Sequence, residues 1–243
     1  MEKITAIHIL DVPIHPFTMD DAVLYLAQKI QARKQSFVVT ANAEIIMMCQ
    51  ADADYKNILV RSADLVLPDG AGTVWAGRKL GYQVPERVAG FDLFNRLLAL
   101  AAAEKYKVFF FGAAPGIAEA AKSKAEALYH GVEITGCRDG YFKVADDAAI
   151  IKEINDSGAQ MLFLALGAPK QEKWLQEHLS ELKPLILMGI GGSFDVLAGK
   201  AERAPVIMQK YSLEWLFRLY KQPSRFRRML ALPKFVIKVL CSK

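Results

Sequence analysis

The chain has 243 residues, 53% of them hydrophobic, and a formal net charge of +5. That length suits one large core, or one domain with a small appendage, and the apolar content excludes a disordered chain. No apolar run approaches the roughly 18 residues that a membrane-spanning helix needs, and Cys49, Cys137 and Cys241 lie far apart with no CxxC pair. Neither a disulfide framework nor a zinc site is expected, and a reducing cytosol fits best.

In chain order, the first 16 residues carry Glu2 and Asp11 within or beside their apolar stretch, so no signal peptide is readable there. "ITAIHIL" (4–10) reads as a strand, and Thr18 with Asp21 reads as a helix start with a capping hydroxyl. "SFVVT" (36–40) is a β-branched strand that runs into a helical "ANAEIIMMC". "DLVLP" (64–68), "KVFFFG" (107–112), "VEIT" (132–135), "QMLFLALG" (160–167) and "PLILMGIGG" (184–192) are further strands. Helical stretches separate them, most clearly 116–130 and 169–179. Strands spaced by helices of that length predict an α/β fold: a Rossmann-like parallel sheet flanked by helices.

The composition changes after Pro205. Residues 200–243 carry a net charge of +9, and the rest of the chain a net of −4. We therefore divide the chain into an α/β core, 1–204, and a basic helical C-terminal appendage, 205–243, broken at Pro223 and Pro233. Removal of the appendage is expected to leave a folded core. Helical spacing puts Arg218, Lys221, Arg225 and Arg228 near one stripe, provided Pro223 does not spoil the phase. "FVIKVL", flanked by Lys234 and containing Lys238, reads either as an interfacial helix with snorkelling lysines or as a helix packed on the core. A tail this basic implies an anionic partner, whether phosphate, nucleic acid or membrane surface.

The strand ends carry the chemistry. Thr40 and Asn42 follow one strand, Asp69 follows the next, and "GAAPG", "GAPKQEKW" and "GIGGSFDVLAG" follow three others. Ligands of open parallel sheets bind beyond the carboxyl ends of strands, and small residues there let backbone approach a phosphate. Pro68-Asp69-Gly70 is also good turn chemistry, so a structural reading competes at that position. No GxGxxG follows the first strand, which disfavours a dinucleotide oxidoreductase. Asp52 and Asp54 form a DxD pair inside a helical stretch, where solvated surface acids are common. The four histidines have no metal-ligand spacing, so no catalytic metal and no cofactor are expected. Arg87 follows a proline-containing loop and is either a phosphate ligand or a solvated loop arginine. Lys170, Gln171 and Lys173 fall in the first turn of a helix, where cations oppose the macrodipole, and a ligand-facing role for some of them is favoured. Trp174 reads as core.

"TANAEII", "LPDGAGTVWAGRKLG", "ERVAGFDL", "FFFGAAPGIAE", "LGAPKQEKW", "GIGGSFDVLAGKAERAP" and "EWLFRLYKQPSRFRR" together resemble the WecG/TagA/CpsF glycosyltransferases, in order, from about Thr40 to Arg228. The resemblance implies metal-independent, inverting transfer of N-acetylmannosamine from a UDP donor to a lipid-linked N-acetylglucosamine diphosphate. That is an early step of wall teichoic acid or related surface-polymer synthesis, performed at the membrane's inner face. It implies Asp69 as catalytic base and Thr40, Asn42 and Gln171 at the donor site, Thr40 and Arg87 ranking with Asp69 as catalytic positions. Arg87, Arg218, Arg225 and Arg228 are implied to act on diphosphate groups. Expected partners are the UDP-sugar, the polyprenyl-diphosphate acceptor and an anionic membrane surface, with a homo-oligomer left open and no nucleic acid. The alternatives are another UDP-sugar donor and, in a different class, a nucleic-acid-binding protein using the basic tail. The chemistry stands without the family: a strand-end carboxylate can deprotonate an acceptor hydroxyl, and arginine forks can hold a departing diphosphate where no metal does.

Overall fold

In a computed structural model, residues 5–205, 207–208, 213–221, 223 and 226–242 are described here, without the side chains of Arg218 and Arg227. Six parallel strands form the main sheet: β3 (Ser36–Ala41), β4 (Leu65–Pro68), β5 (Lys107–Gly112), β6 (Glu133–Arg138), β7 (Met161–Ala165) and β8 (Ile186–Gly189). Their order across the sheet is β4-β3-β8-β7-β5-β6. Alternate residues of these strands enter opposite cores. Val39, Val66, Phe109, Phe111, Leu162, Leu164 and Leu187 lie in one cluster, and Val38, Leu65, Leu67, Phe110, Phe163 and Met188 in the other. Burial on both faces is why the strands read as unbroken apolar runs rather than as alternating ones. The chain leaves β5 outward to β6 and leaves β7 in the opposite direction to β8. Such a reversal opens a crevice at the carboxyl ends of the strands.

The first strand differs from expectation. β1 (Ile7–Ile9) does not join the main sheet but pairs antiparallel with β2 (Val12–Ile14). Leu10 and Asp11 link them with φ of 50° and 62°, the two positive φ values of a tight hairpin turn. The hairpin covers the edge strand β4. His15 N–H donates to the Val66 carbonyl at 2.7 Å, and the Val66 N–H donates to His15 Nδ1 at 3.0 Å. A side-chain nitrogen thereby satisfies an edge donor that would otherwise template another strand.

α1 (Met19–Gln31) starts with the expected cap: Thr18 Oγ1 accepts from Asp21 N–H at 3.1 Å, and the Asp21 carboxylate accepts from Thr18 N–H, also at 3.1 Å. α2 (Ala43–Ala51), α3 (Ala53–Asn57) and a π-helical turn at Ile58–Ser62 lead to β4. α4 (Gly70–Lys79) and α5 (Gly90–Glu104) follow it, and α6 (Ile117–Leu128) and α7 (Asp147–Asp156) connect β5, β6 and β7. α8 (Lys170–Glu177) and α9 (Ser193–Leu197) follow β7 and β8.

The appendage contains α10 (Glu214–Lys221), α11 (Phe226–Met229) and α12 (Ala231–Cys241). Arg218 and Lys221 belong to α10 and Arg228 to α11; Arg225 lies outside the described residues, so the expected stripe is described only in part. Pro233, expected as a break, lies in the first turn of α12, where its missing N–H has no intrahelical partner to lose. α12 returns to the core: Phe235 and Val239 are fully buried against α2 and α4, while Val236, Ile237 and Leu240 face outward. A cut after Pro205 would therefore remove core side chains as well as surface. Among the described residues no helix is long and apolar enough to cross a membrane.

Candidate active site

Three of the expected site residues meet at the carboxyl ends of the neighbouring strands β3 and β4. Register pairs Thr40 with Leu67 and Ala41 with Pro68, which sets Thr40, Asn42 and Asp69 close together. Asp69 is the N-cap of α4, but its side chain does not cap that helix. It turns instead to the start of α5, where Gly90 N–H points at Asp69 Oδ2 at 3.4 Å. Thr40 is almost buried and packs against the same glycine: a Cβ at Gly90 would lie 2.6 Å from Thr40 Oγ1. Glycine at 90 is thus what lets α5 approach both residues. Thr73, one turn into α4, donates its hydroxyl to the Ala41 carbonyl at 3.0 Å and fixes α4 against the end of β3. Asn42 caps α2 by accepting from Ile45 N–H at 3.0 Å.

Gln171 lies across β8 from this group and is buried. Its Oε1 accepts from Gly167 N–H and Gly191 N–H, both at 3.1 Å, so one amide ties the loop after β7 to the loop after β8. Its Nε2 donates to Glu172 Oε1 at 2.7 Å. A Cβ at Gly189 would come within 2.3 Å of Gln171 Nε2. Here the residue shapes two glycine loops at the crevice.

Behind these loops lies a buried polar cluster that no motif announces. Burial pushes the Glu172 carboxyl above its ordinary range, against the donated Gln171 hydrogen bond. Burial and then the Glu172 carboxylate raise the Tyr55 phenol, and burial with Glu172 pushes the Cys49 thiol up to about 12. Tyr55 Oη and Glu172 Oε2 have no hydrogen-bond partner among the described residues.

The basic appendage closes on the strand ends from two directions. Arg87 Nη1 donates to Glu214 Oε2 of α10 at 2.9 Å, with both side chains 21% exposed. Arg203 pairs with Asp92 at 2.7 Å, stacks over Phe91 and comes within 4.0 Å of Glu214. Arg228 of α11 lies 3.6 Å from Glu44, which sits in the first turn of α2 beside Asn42. Arg225 and the side chain of Arg218 lie outside the described residues. The chain's tail holds two acids, Glu202 and Glu214, and both are paired, Glu202 with Lys221 at 2.8 Å. An acid inside a strongly basic segment was the available signal for a partner of Arg87.

The first-turn cations of α8 do not face a common ligand. Lys170 sits 4.6 Å over the Phe142 ring, and Lys173 binds Asp52 at 2.6 Å. Asp52 also caps α3 by accepting from Tyr55 N–H at 2.9 Å, and the Lys173 hydrogen bond holds its carboxyl below the usual range. Asp52 of the DxD pair thus has a structural use. Among the described residues no group of three His, Cys, Asp or Glu side chains could hold a metal ion. Trp174 is core, as expected, with Nε1 donating to Asp147 at 2.9 Å.

Residues 7–243 match the model of the glycosyl transferase WecG/TagA/CpsF family. The chain is 37% identical over 239 residues to an N-acetylglucosaminyldiphosphoundecaprenol N-acetyl-beta-D-mannosaminyltransferase of Bacillus spizizenii, covering 98% of this chain and 90% of that one. It is also 37% identical over 216 residues to the protein of the same name from Bacillus subtilis, covering 89% and 82%. A match this complete, carried over a parallel sheet whose carboxyl ends gather Thr40, Asn42 and Asp69, places the chain in the WecG/TagA/CpsF family of glycosyl transferases.

Proposed function

We propose that this protein transfers N-acetylmannosamine from UDP-N-acetylmannosamine to a polyprenyl-diphosphate-linked N-acetylglucosamine, with inversion at the transferred carbon. The observation that carries the reading is the convergence of the Asp69 carboxylate and Thr40 on Gly90, closed over by a basic appendage through Arg87 and Glu214. Asp69 takes the proton of the acceptor hydroxyl as that oxygen attacks the sugar's anomeric carbon and the bond to UDP breaks. Thr40 and Asn42 hold the donor beside it, and Gln171 sets the glycine loops on which its nucleotide half rests.

The departing UDP diphosphate gains charge as the bond breaks. Arg87 meets it, together with Arg218, Arg225 and Arg228 of the appendage, as charge-assisted donors. No metal takes part. Residues 205–243 thus complete the site, and the exposed Val236, Ile237 and Leu240 with Lys234 and Lys238 seat the enzyme on an anionic membrane surface where its lipid acceptor resides. The product suits the linkage unit of a surface polymer such as wall teichoic acid. Calorimetric titration with UDP, NAD and an oligonucleotide tests the reading at its first step. UDP alone should bind. Binding of the oligonucleotide without UDP would instead support a nucleic-acid partner for the tail.

A further inference from the structure

α4 starts at Asp69, and one face of it lines an open cleft of about 690 Å³. Ala71, Val74 and Trp75 form its near wall, and the segment carrying Glu86 and Arg87 forms the far wall. Arg78 and Lys79 stand at the end remote from Asp69. A helical rise of about 1.5 Å per residue puts Lys79 roughly 12 Å beyond Ala71 along the axis. The cleft therefore begins two residues from the candidate base and follows α4, the helix that leaves β4, the last strand on that side of the sheet. Thr40, Asn42 and Gln171 lie on the opposite side of Asp69, over β3 and β8.

The lining changes character along its length. Nearest Asp69 the wall is small, at Ala71. One turn on, Trp75 is 37% exposed although Val74 beside it and Thr73 before it are buried. Another turn on come the cations. Arg78 is occupied: its Nε and Nη2 donate to the Val84 carbonyl at 3.1 and 2.9 Å, and Nη2 also reaches the Pro85 carbonyl. It acts as a strut that holds the far wall in place. Val84 is anchored as well, because Gly77 admits it where a Cβ would lie 2.5 Å from its methyl. Lys79 is exposed and pairs with no acid among the described residues, which leaves its ammonium for a ligand. Arg87, ion-paired to Glu214 at 2.9 Å, stands on the other wall, where the donor and acceptor halves of the site meet.

A hydroxyl-bearing sugar followed by two phosphoryl groups has the same order of chemistry. It presents a hydroxyl for the base, an apolar ring face for an indole, and then two anionic groups for cations. We infer that this cleft is the acceptor's seat, with Trp75 the platform for the acceptor sugar and Lys79 a ligand of its diphosphate. The inference rests on the function proposed above and divides the site in two: donor over β3 and β8, acceptor along α4 at the sheet's edge.

Steady-state kinetics of the full chain on a water-soluble, short-chain lipid diphosphate-GlcNAc test it, with donor and acceptor varied in turn. Trp75→Ala, Lys79→Ala and Lys79→Glu should each raise the acceptor KM about tenfold or more, the size of one lost charge-assisted or stacking contact. The UDP-sugar KM and the UDP Kd should stay at wild-type values, and Lys79→Arg should recover most of the acceptor affinity. Lys79 is exposed, so its variants should keep the wild-type melting temperature. Turnover by wild type with an acceptor KM unchanged in the variants, or a donor KM raised equally, overturns the cleft assignment alone. Absence of wild-type turnover on any donor and acceptor pair overturns the proposed function, and this inference with it.

Discussion

Replacing Phe235 by alanine separates the two faces of α12. The Phe235 side chain is 1% exposed and belongs to the same core cluster as Val39, Val66 and Phe111 of the sheet. Its ring lies 3.8 Å from the position of a Cβ on Gly72, so it packs where α4 offers no side chain of its own. Truncating a buried phenylalanine costs about 3–5 kcal/mol, from lost transfer energy and the cavity left behind. That is a large share of the roughly 5–15 kcal/mol that holds a domain folded. Ile237, two residues on, is 61% exposed, and an exposed truncation changes stability by about 0.5 kcal/mol or less. Urea unfolding of the two variants, followed by circular dichroism, measures the contrast. Hydrogen exchange of α2 and α4 amides detects a local undocking of α12 that leaves the global midpoint in place. Phe235→Ala should fall by the full amount globally, or lose protection in α2 and α4. Equal, small effects of both substitutions on both measurements would refute the packing argument.

Asp69→Asn should lower turnover by about 10²–10⁴-fold, the usual worth of a general base, with UDP affinity by titration unchanged. Gly90→Ala should drive a methyl against Thr40 Oγ1, 2.6 Å away, and depress turnover by about tenfold or more; wild-type rates would remove Thr40 from the site. Burial lowers the pKa of His15, and its Nδ1 accepts from Val66 N–H, a bond that a protonated ring nitrogen cannot make, so the fold favours the neutral imidazole. The unfolded chain takes up that proton near pH 6.5, so this contribution to stability is intact above that value and is lost as pH falls below it, by at most about 1.4 kcal/mol per pH unit. His15→Asn should flatten this slope in urea melts from pH 7 to 5, and an unchanged slope would place the titrating group elsewhere.

The main sheet was legible because each strand is buried on both faces, which leaves continuous apolar runs such as "KVFFFG" bounded by turn residues. The hairpin was not. Val12–Ile14 is three residues long with a proline at its centre, and its turn uses Leu10 and Asp11 at positive φ in place of the Asn-Gly or Gly-Gly pairs that announce such turns. Pro233 misled because a proline's meaning depends on which turn of a helix it occupies, and no local signal marked Leu230 as the cap. Thr40, Asn42 and Asp69 were readable as strand-end polar residues, since adjacent parallel strands bring such positions together. Their relation to Gly90 was hidden, because nothing local says which helix start will fold over them. The Glu172, Tyr55 and Cys49 cluster was hidden for the same reason: α2, α3 and α8 bring together residues up to 123 positions apart. Lys173 read as a first-turn cation awaiting a ligand, and found one in Asp52 of its own chain.

The central claim, sugar transfer to a lipid-linked GlcNAc diphosphate, is tested most directly by incubating the purified chain with a short-chain lipid diphosphate-GlcNAc and a panel of UDP-sugars in the presence of EDTA. Product is followed by mass and linkage, and released UDP is counted against it. The expected result is a β-linked N-acetylmannosaminyl-N-acetylglucosamine on the lipid diphosphate, one UDP per disaccharide, from UDP-N-acetylmannosamine and no other donor. Transfer that appears only when manganese or magnesium is restored, or no disaccharide from any UDP-sugar, would contradict it.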